Sequence, residues 1–149
     1  MDTADTKVLR VLVIEDDADD QVLLMRQLKK ADIADQVKFI ADGSEAVTFL
    51  RRNHAQIASS IMVIFLDLKL PGLGGLQVLR AIKRNSALSH IPVVLMTSPH
   101  NLADLEACQS LGVMNYVEKP VTYSAFSKAM ADVFHLASSR SFAALAAVE

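Results

Sequence analysis

The sequence predicts an α/β protein built on a doubly wound, five-stranded parallel sheet with helices on both faces. Five short apolar runs alternate along the chain with five segments whose apolar residues recur at helical spacing. One run, Ile61 to Leu66, is apolar without interruption, as in strands buried on both faces of a parallel sheet. The 149 residues suit one domain with a full hydrophobic core.

The predicted strands differ in how they end. The third runs into Asp67 and is closed by a Pro- and Gly-rich loop, and the fifth is followed by Lys119 and Pro120. We expect the segment from Asn53 to Ser60 to be a polar connection without a helix. The other four strands are predicted at Val8–Ile14, Gln36–Ala41, Ile91–Met96 and Val113–Val117.

The helical segments are predicted from their apolar spacing and from residues that favour helix ends. Acidic Asp19 and Asp20 begin the first helix, Ser44 is the expected cap of the second, and Thr122 or Ser124 caps the last. The residues expected to face inward are Val22, Leu24, Met25 and Leu28, then Ala46, Val47 and Leu50, then Leu76, Leu79 and Ile82 of Gly75–Arg84, then Leu102, Leu105 and Cys108 before a stop at Gly112, and finally Phe126, Met130 and Val133.

Composition excludes several classes of protein. The net charge of −2 gives no whole-chain reason to expect nucleic acid or an anionic membrane surface as partner. Cys108 is the single cysteine, the four histidines lack metal-ligand spacing, and no apolar run is long enough to cross a bilayer. The polar segment Met1 to Thr6 does not resemble a signal peptide, so we expect a soluble, cytoplasmic protein.

Polar residues follow four of the predicted strands, and the carboxyl ends of parallel strands share one edge of the sheet. The first strand is followed by three acids, the third ends at Asp67, the fourth at Thr97 and Ser98, and the fifth at Lys119. The acids after the first strand are Glu15, Asp16 and Asp17. Clustered carboxylates repel one another and need a cation, and oxygen ligands alone favour a hard ion such as Mg²⁺.

This arrangement predicts phosphoryl transfer to a carboxylate. Asp67 would act as a nucleophile that forms an acyl phosphate, with Mg²⁺ and Lys119 neutralising the phosphoryl oxygens and Thr97 offering a hydroxyl donor. Each residue alone has a simpler explanation, such as a helix cap or an exposed lysine. Their placement at the ends of separate strands favours the chemical one.

The chain resembles a response regulator receiver domain, the phosphoacceptor of two-component signalling. The resemblance covers about residues 8–136. Its matching motifs are Val13-Ile14-Glu15-Asp16, Leu66-Asp67-Leu68-Lys69-Leu70-Pro71-Gly72, Val94-Leu95-Met96-Thr97-Ser98 and Tyr116-Val117-Glu118-Lys119-Pro120. The resemblance implies the flavodoxin-like (βα)5 receiver fold. It also implies that the chain takes a phosphoryl group from a histidine kinase and signals through the face formed by the fourth helix, fifth strand and fifth helix of the predicted five.

The resemblance also assigns roles by position. Asp67 is the expected phosphoacceptor and Lys119 the phosphate-binding lysine, with a cis peptide between Lys119 and Pro120. Thr97 and Tyr116 are the expected switch pair. The acidic pocket is expected from Glu15, Asp16 and Asp17, and the Mg²⁺ ligands are expected to be Asp16, Asp67 and the backbone carbonyl of Lys69.

Other features of the sequence, which are weaker evidence, are similar to those of the stand-alone receivers paired with phytochrome-type histidine kinases. We therefore expect a receiver domain over residues 8–136 and a tail over residues 137–149 without an output domain. Output would pass to a downstream protein or a histidine phosphotransfer protein. The apolar tail residues Phe142, Leu145 and Val148 predict either a homodimer through the switch face or a tail packed on its own chain. Lys69 and Pro99, each two residues after a site residue, predict slow self-dephosphorylation.

Three other functions are alternatives to this one. A haloacid-dehalogenase-like phosphatase would place a second acid at the position of Lys69. A nucleotide-binding flavodoxin- or Rossmann-like module would place a Gly-rich loop after the first strand, where Glu15 and its acidic neighbours stand. A receiver that only binds partners would not need every reactive position filled.

Overall fold

A five-stranded, entirely parallel sheet forms the centre of the protein, in the strand order β2-β1-β3-β4-β5. The computed structural model describes residues 8–98, 102–113 and 115–133. The strands are β1 (Val11–Ile14), β2 (Val37–Ile40), β3 (Val63–Asp67), β4 (Val93–Thr97) and β5 (Asn115–Glu118). The helices are α1 (Ala18–Lys30), α2 (Gly43–Arg52), α3 (His54–Ser60), α4 (Gly75–Arg84), α5 (Leu102–Ser110) and α6, helical over residues 123–133, with a 3-10 turn at Ala34–Gln36.

The sheet is covered on both faces, as the doubly wound prediction requires. Successive residues of a strand point to opposite faces, so the buried strands β1, β3 and β4 contribute side chains to two separate cores. One core contains Leu12, Ile64 and Leu95 with side chains of α2, α3, α4 and α5. The other contains Val13, Phe65 and Val94 with side chains of α1 and α6. The predicted fold class is therefore confirmed.

The connection expected between Asn53 and Ser60 was predicted wrongly. His54–Ser60 is a helix, α3, and it is anchored by Ile57, which is 2% exposed. A seven-residue segment with one large apolar side chain has no repeating pattern from which a helix can be predicted.

Two details of the first helices also differ from expectation. Val22 is 61% exposed, and α1 instead buries Gln27 together with Leu24 and Leu28. The cap of α2 is Asp42 rather than Ser44, because the helix already begins at Gly43 and the Asp42 carboxylate accepts from the Ser44 amide at 3.3 Å. The strands begin two or three residues later than predicted in β1, β3, β4 and β5.

Other local predictions are confirmed. The helix Gly75–Arg84 has the expected bounds, Gly112 follows α5 with a φ of 90°, and Thr122 accepts from the Ala125 amide at the start of α6. The peptide between Lys119 and Pro120 is cis. No helix among the described residues combines the length and apolarity needed to cross a bilayer. The predicted tail interactions fall outside the described residues.

Cys108 lies in the core beside α4. Its side chain is fully buried, and burial together with the charge of Asp104 raises the pKa of the thiol to about 11, against a smaller opposing effect of Arg80. The native cysteine is therefore a small core residue, as its position in a helical pattern suggested.

The start of α4 packs directly on the end of β3. A Cβ added to Gly75 would lie 2.2 Å from the Asp67 carbonyl oxygen and 2.7 Å from Leu68 Cα, closer than side chains approach backbone. The Gly75 amide donates to the Leu68 carbonyl at 3.3 Å. Glycine is required here because it lets the helix approach the residue that ends the central strand.

Candidate functional site

The candidate site lies at the carboxyl edge of the sheet, where the ends of four strands meet. Asp67 is the last residue of β3 and Thr97 the last of β4, while Glu15 directly follows β1 and Lys119 directly follows β5. Backbone hydrogen bonds tie these ends together: the Leu68 amide donates to the Met96 carbonyl at 3.1 Å, and the Lys119 amide to the Thr97 carbonyl at 2.8 Å. The sheet register therefore fixes the spacing of the site.

Lys119 is the centre of an ion-pair cluster. Its Nζ lies 2.6 Å from Glu15 Oε1, 3.0 Å from Asp20 Oδ2 and 3.1 Å from Asp67 Oδ2. The side chains of Glu15 and Asp67 are 1% and 5% exposed, whereas that of Asp20 is 29% exposed. The ammonium group thus holds two buried carboxylates together, with a third at the solvent side.

The cluster carries more negative than positive charge. Burial raises the pKa of Glu15 from its ordinary 4.5 to about 8, and the nearby Asp67 adds to the rise against the opposing effect of Lys119. Burial alone would lower the pKa of Lys119, but the hydrogen bonds to Glu15 and Asp20 and the charge of Asp67 raise it. One ammonium does not neutralise this cluster, which is why a second cation would stabilise it.

Three of the carboxylates fit a metal ion. One ligand oxygen from each of Glu15, Asp16 and Asp67 can be chosen so that all lie within 4.8 Å of one another. The donors are all oxygen, and two of the three residues are buried, which suits a hard divalent cation such as Mg²⁺.

A cavity of about 230 Å³ opens beside this cluster. That volume has room for a small oxyanion and bound water. Its lining contains most of the residues singled out from the sequence, together with one that was not. The lining residues are Asp16, Asp17, Asp20, Asp67, Lys69, Ser98 and Lys119.

Two of the predicted residues hold neighbouring parts of the site in place. The Asp17 carboxylate caps α1 by accepting from the Asp20 amide at 2.9 Å, so it orients the helix that follows the acids. The Lys69 amide donates to Asp67 Oδ1 at 3.0 Å and so holds the Asp67 carboxylate from the loop side. Asp67 is therefore fixed by Lys119 on one oxygen and by Lys69 on the other.

The two residues of the expected switch pair differ in their surroundings. The Thr97 side chain is buried and its hydroxyl donates to the Ser98 carbonyl at 3.0 Å, not to Asp67. Tyr116, on β5, is 46% exposed and lies in a groove between that strand and α6. The Thr97 hydroxyl is therefore bonded to backbone, and the Tyr116 ring is partly in solvent.

Sequence analysis missed Asp20 as a site residue. Its position in the sequence indicates only a first-turn acid that favours the helix dipole, yet its carboxylate accepts a hydrogen bond from Lys119, 99 residues away, at 3.0 Å. The available signal was its position in the first turn of the helix that leaves the acidic cluster. Gln27 was missed as well: it is buried and donates from Nε2 to the Val121 carbonyl at 3.1 Å, which ties α1 to the segment after Lys119.

Comparison with known proteins gives one consistent result. The family model described as the response regulator receiver domain matches residues 11–131. Response regulator Rcp1 of Synechocystis is 36% identical over 110 residues, which cover 73% of this chain and 75% of Rcp1.

Solved structures of phytochrome-associated regulators are also similar. The bacteriophytochrome response regulator AtBRR is 39% identical with a TM-score of 0.71, covering 84% of this chain and 92% of that one. The Mn²⁺-bound form of Rcp1 is 33% identical with a TM-score of 0.67, covering 81% and 88%. The phosphorylated cyanobacterial phytochrome response regulator RcpA is 30% identical with the same TM-score and the same coverages.

Proposed function

This chain belongs to the response regulator receiver domain family, and on that premise we propose that it takes a phosphoryl group onto Asp67 in a Mg²⁺-dependent reaction. The observation that carries the proposal is the environment of Asp67. Its carboxylate ends a buried strand, lies 3.1 Å from the Lys119 ammonium and belongs to the group of three acids that can hold a metal.

The reaction can be followed at the Asp67 oxygen. A carboxylate oxygen forms a bond to phosphorus while the P–N bond of a kinase phosphohistidine breaks, and its electron pair stays on the imidazole nitrogen. With a small acyl phosphate as donor, the P–O bond breaks instead and the carboxylate leaves. Lys119 stabilises the negative charge on the phosphoryl oxygens, and the Lys69 amide keeps Asp67 oriented for the attack.

Asp16, Asp67 and the backbone carbonyl of Lys69 are the proposed protein ligands of the metal, with Glu15 completing the acidic pair. When bound, Mg²⁺ supplies positive charge to the phosphoryl oxygens and to the carboxylate cluster. Two observations support this assignment: the oxygen-only donor set, and the Mn²⁺-bound form of the relative Rcp1.

Hydrolysis restores Asp67. A water oxygen attacks phosphorus, the bond between phosphorus and the Asp67 oxygen breaks, and inorganic phosphate and a proton are released. Lys69 lines the cavity through which such a water must approach, and its side chain can crowd that path. Pro99, the other residue expected to slow this step, lies outside the described residues. Slow self-dephosphorylation therefore remains part of the proposal.

The proposed signal is a change of the surface formed by α5, β5 and α6. Phosphoryl oxygens at Asp67 would attract the Thr97 hydroxyl away from the Ser98 carbonyl, and Tyr116 would move into the space that Thr97 leaves. The bond of the Thr97 hydroxyl to Ser98 and the exposure of Tyr116 fit the resting form of such a switch. The proposed partners are a histidine kinase of phytochrome type and a downstream protein or histidine phosphotransfer protein.

The decisive experiment is phosphorylation by acetyl phosphate, followed by intact mass. The parent protein should gain one phosphoryl group with Mg²⁺ and none with EDTA, and Asp67→Asn should gain none. Asp42→Asn is the matched control, because Asp42 also follows a strand at its carboxyl end but does not line the cavity. A full mass gain in Asp67→Asn would move the acceptor to another residue. No gain in the parent would favour a domain that only binds partners.

A further inference from the structure

Asp20 shares Lys119 with the phosphoacceptor, although Asp20 belongs to a different element. It lies in the first turn of α1, where its own amide is held by Asp17, and its Oδ2 accepts a hydrogen bond from Lys119 at 3.0 Å. We propose that Asp20 is the resting partner of Lys119 and competes with the incoming phosphoryl group for the lysine. This inference rests on the proposed phosphorylation of Asp67.

The donor capacity of the lysine is the first step of the argument. An ammonium group has three protons to donate. In this structure its Nζ lies within 3.1 Å of three carboxylate oxygens, those of Glu15, Asp20 and Asp67. Asp20 accepts a hydrogen bond from this group and all three carboxylates attract it, so a phosphoryl oxygen that binds Lys119 must compete with these contacts.

Exposure decides which contact is lost. The Glu15 side chain is 1% exposed and its other oxygen accepts from the Asp17 amide at 3.1 Å, so water cannot take the place of Lys119 there. Asp67 is the group that receives the phosphoryl. The Asp20 side chain is 29% exposed, so water can replace the ammonium there at the smallest cost.

The charge of the phosphoryl group also favours loss of the contact between Asp20 and Lys119. The phosphoryl group adds negative charge in a cavity that Asp20 itself lines, so the Asp20 carboxylate repels the group that Lys119 must bind. Asp20 therefore disfavours the phosphorylated state in two ways: by occupying a donor of Lys119 and by repulsion. In exchange, it holds the lysine in place while Asp67 is free.

The test measures binding of a phosphoryl analogue, beryllofluoride, to the full chain at saturating Mg²⁺. Saturation is established for each variant by a separate Mg²⁺ titration. Asp20→Asn, and equally Asp20→Ala, should lower the Kd of beryllofluoride about two- to fivefold, the range expected for a partly exposed ion pair. Asp20→Glu keeps the carboxylate and should remain closer to the parent than either.

The matched control is Asp19→Asn. Asp19 lies in the same first turn and carries the same charge, but it is exposed and does not line the cavity. Its removal changes the net charge and the helix-dipole interaction equally without touching Lys119. Repeating the titrations at high salt screens the long-range part of the charge effect, so a contact effect specific to Asp20 should persist.

The outcomes distinguish a failure of the inference about Asp20 from a failure of the proposed function. If Asp20→Asn binds beryllofluoride no more tightly than Asp19→Asn, or binds it more weakly, Asp20 does not compete for Lys119 and the inference is overturned. If the parent protein fails to bind beryllofluoride at saturating Mg²⁺, the proposed function itself fails and the role of Asp20 falls with it. Tighter binding in Asp20→Asn alone supports the proposal.

Discussion

Gly75→Ala should impair phosphorylation although residue 75 carries no reactive group. The added Cβ would stand 2.2 Å from the Asp67 carbonyl oxygen, and Cβ atoms in proteins essentially never approach closer than 3.0 Å. The start of α4 and the end of β3 must therefore separate by about 0.8 Å or more. Because the contact is with backbone on both sides, no side-chain rotation can relieve it.

The expected cost appears mainly in the rate. Overpacking of this kind costs about 1–3 kcal/mol of unfolding free energy, of which a better helix propensity returns up to about 1 kcal/mol. A displacement near 1 Å of a reacting group can slow a reaction about 10²-fold. We therefore expect a folded variant with a modestly lower urea midpoint and a rate of phosphorylation by acetyl phosphate that falls about 10- to 100-fold.

Gly74→Ala is the control for this experiment. Gly74 is the N-cap of the same helix, and the nearest atom to an added Cβ is Gln77 Oε1 at 4.0 Å, so alanine fits without displacement. This variant loses some cap preference but should keep the parent rate. If Gly75→Ala is folded and reacts as fast as Gly74→Ala, the close approach of α4 does not position Asp67 and the reasoning is refuted.

Four further predictions follow from the same site. Without divalent metal, the free energy of unfolding should decline between about pH 4.5 and 8, because the folded state binds the proton of Glu15 more tightly than the unfolded chain does; urea titrations should find this slope absent in Glu15→Gln. Thr97→Ala should still be phosphorylated but respond poorly in a partner-binding assay, and a full response would contradict the switch. A Lys69→Asn, Pro99→Glu double variant should lose its phosphoryl group faster after donor removal, whereas equal decay would mean that these side chains do not obstruct water. Shortening the chain to end near Ser138 should lower the mass seen by light scattering if the tail extends a dimer, and an unchanged mass would exclude the tail from the interface.

The parts of the fold that could be predicted were those with local signals. The apolar run before Asp67 and the regular spacing of Gly75–Arg84 each reflect burial along one element, so they can be interpreted without knowing the neighbours. α3 could not be predicted, because Ile57 is its one buried residue, and one buried side chain makes no period. Val22 had the right spacing but faces solvent, since the inward face of α1 includes the polar Gln27.

Part of the candidate site could also be predicted from the sequence. Strand ends meet at one edge in any parallel sheet, so Asp67, Thr97 and Lys119 could be grouped from sequence alone. The partner of Lys119 on α1 could not be, because the reach of Asp20 depends on how α1 lies across the sheet relative to β5. The direction of a side chain could not be predicted either. The Thr97 hydroxyl, for example, donates to the Ser98 carbonyl.

The inert state of Cys108 makes site-selective chemical labelling of this protein straightforward. Maleimides and similar reagents attack thiolates, and a fully buried thiol with a pKa raised to about 11 offers almost none near neutral pH. The native residue can stay in place, so its packing in the core need not be disturbed. A cysteine introduced at the exposed Ser59, near the amino end of β3 and opposite the candidate site, would be the reactive position for a fluorophore or spin label.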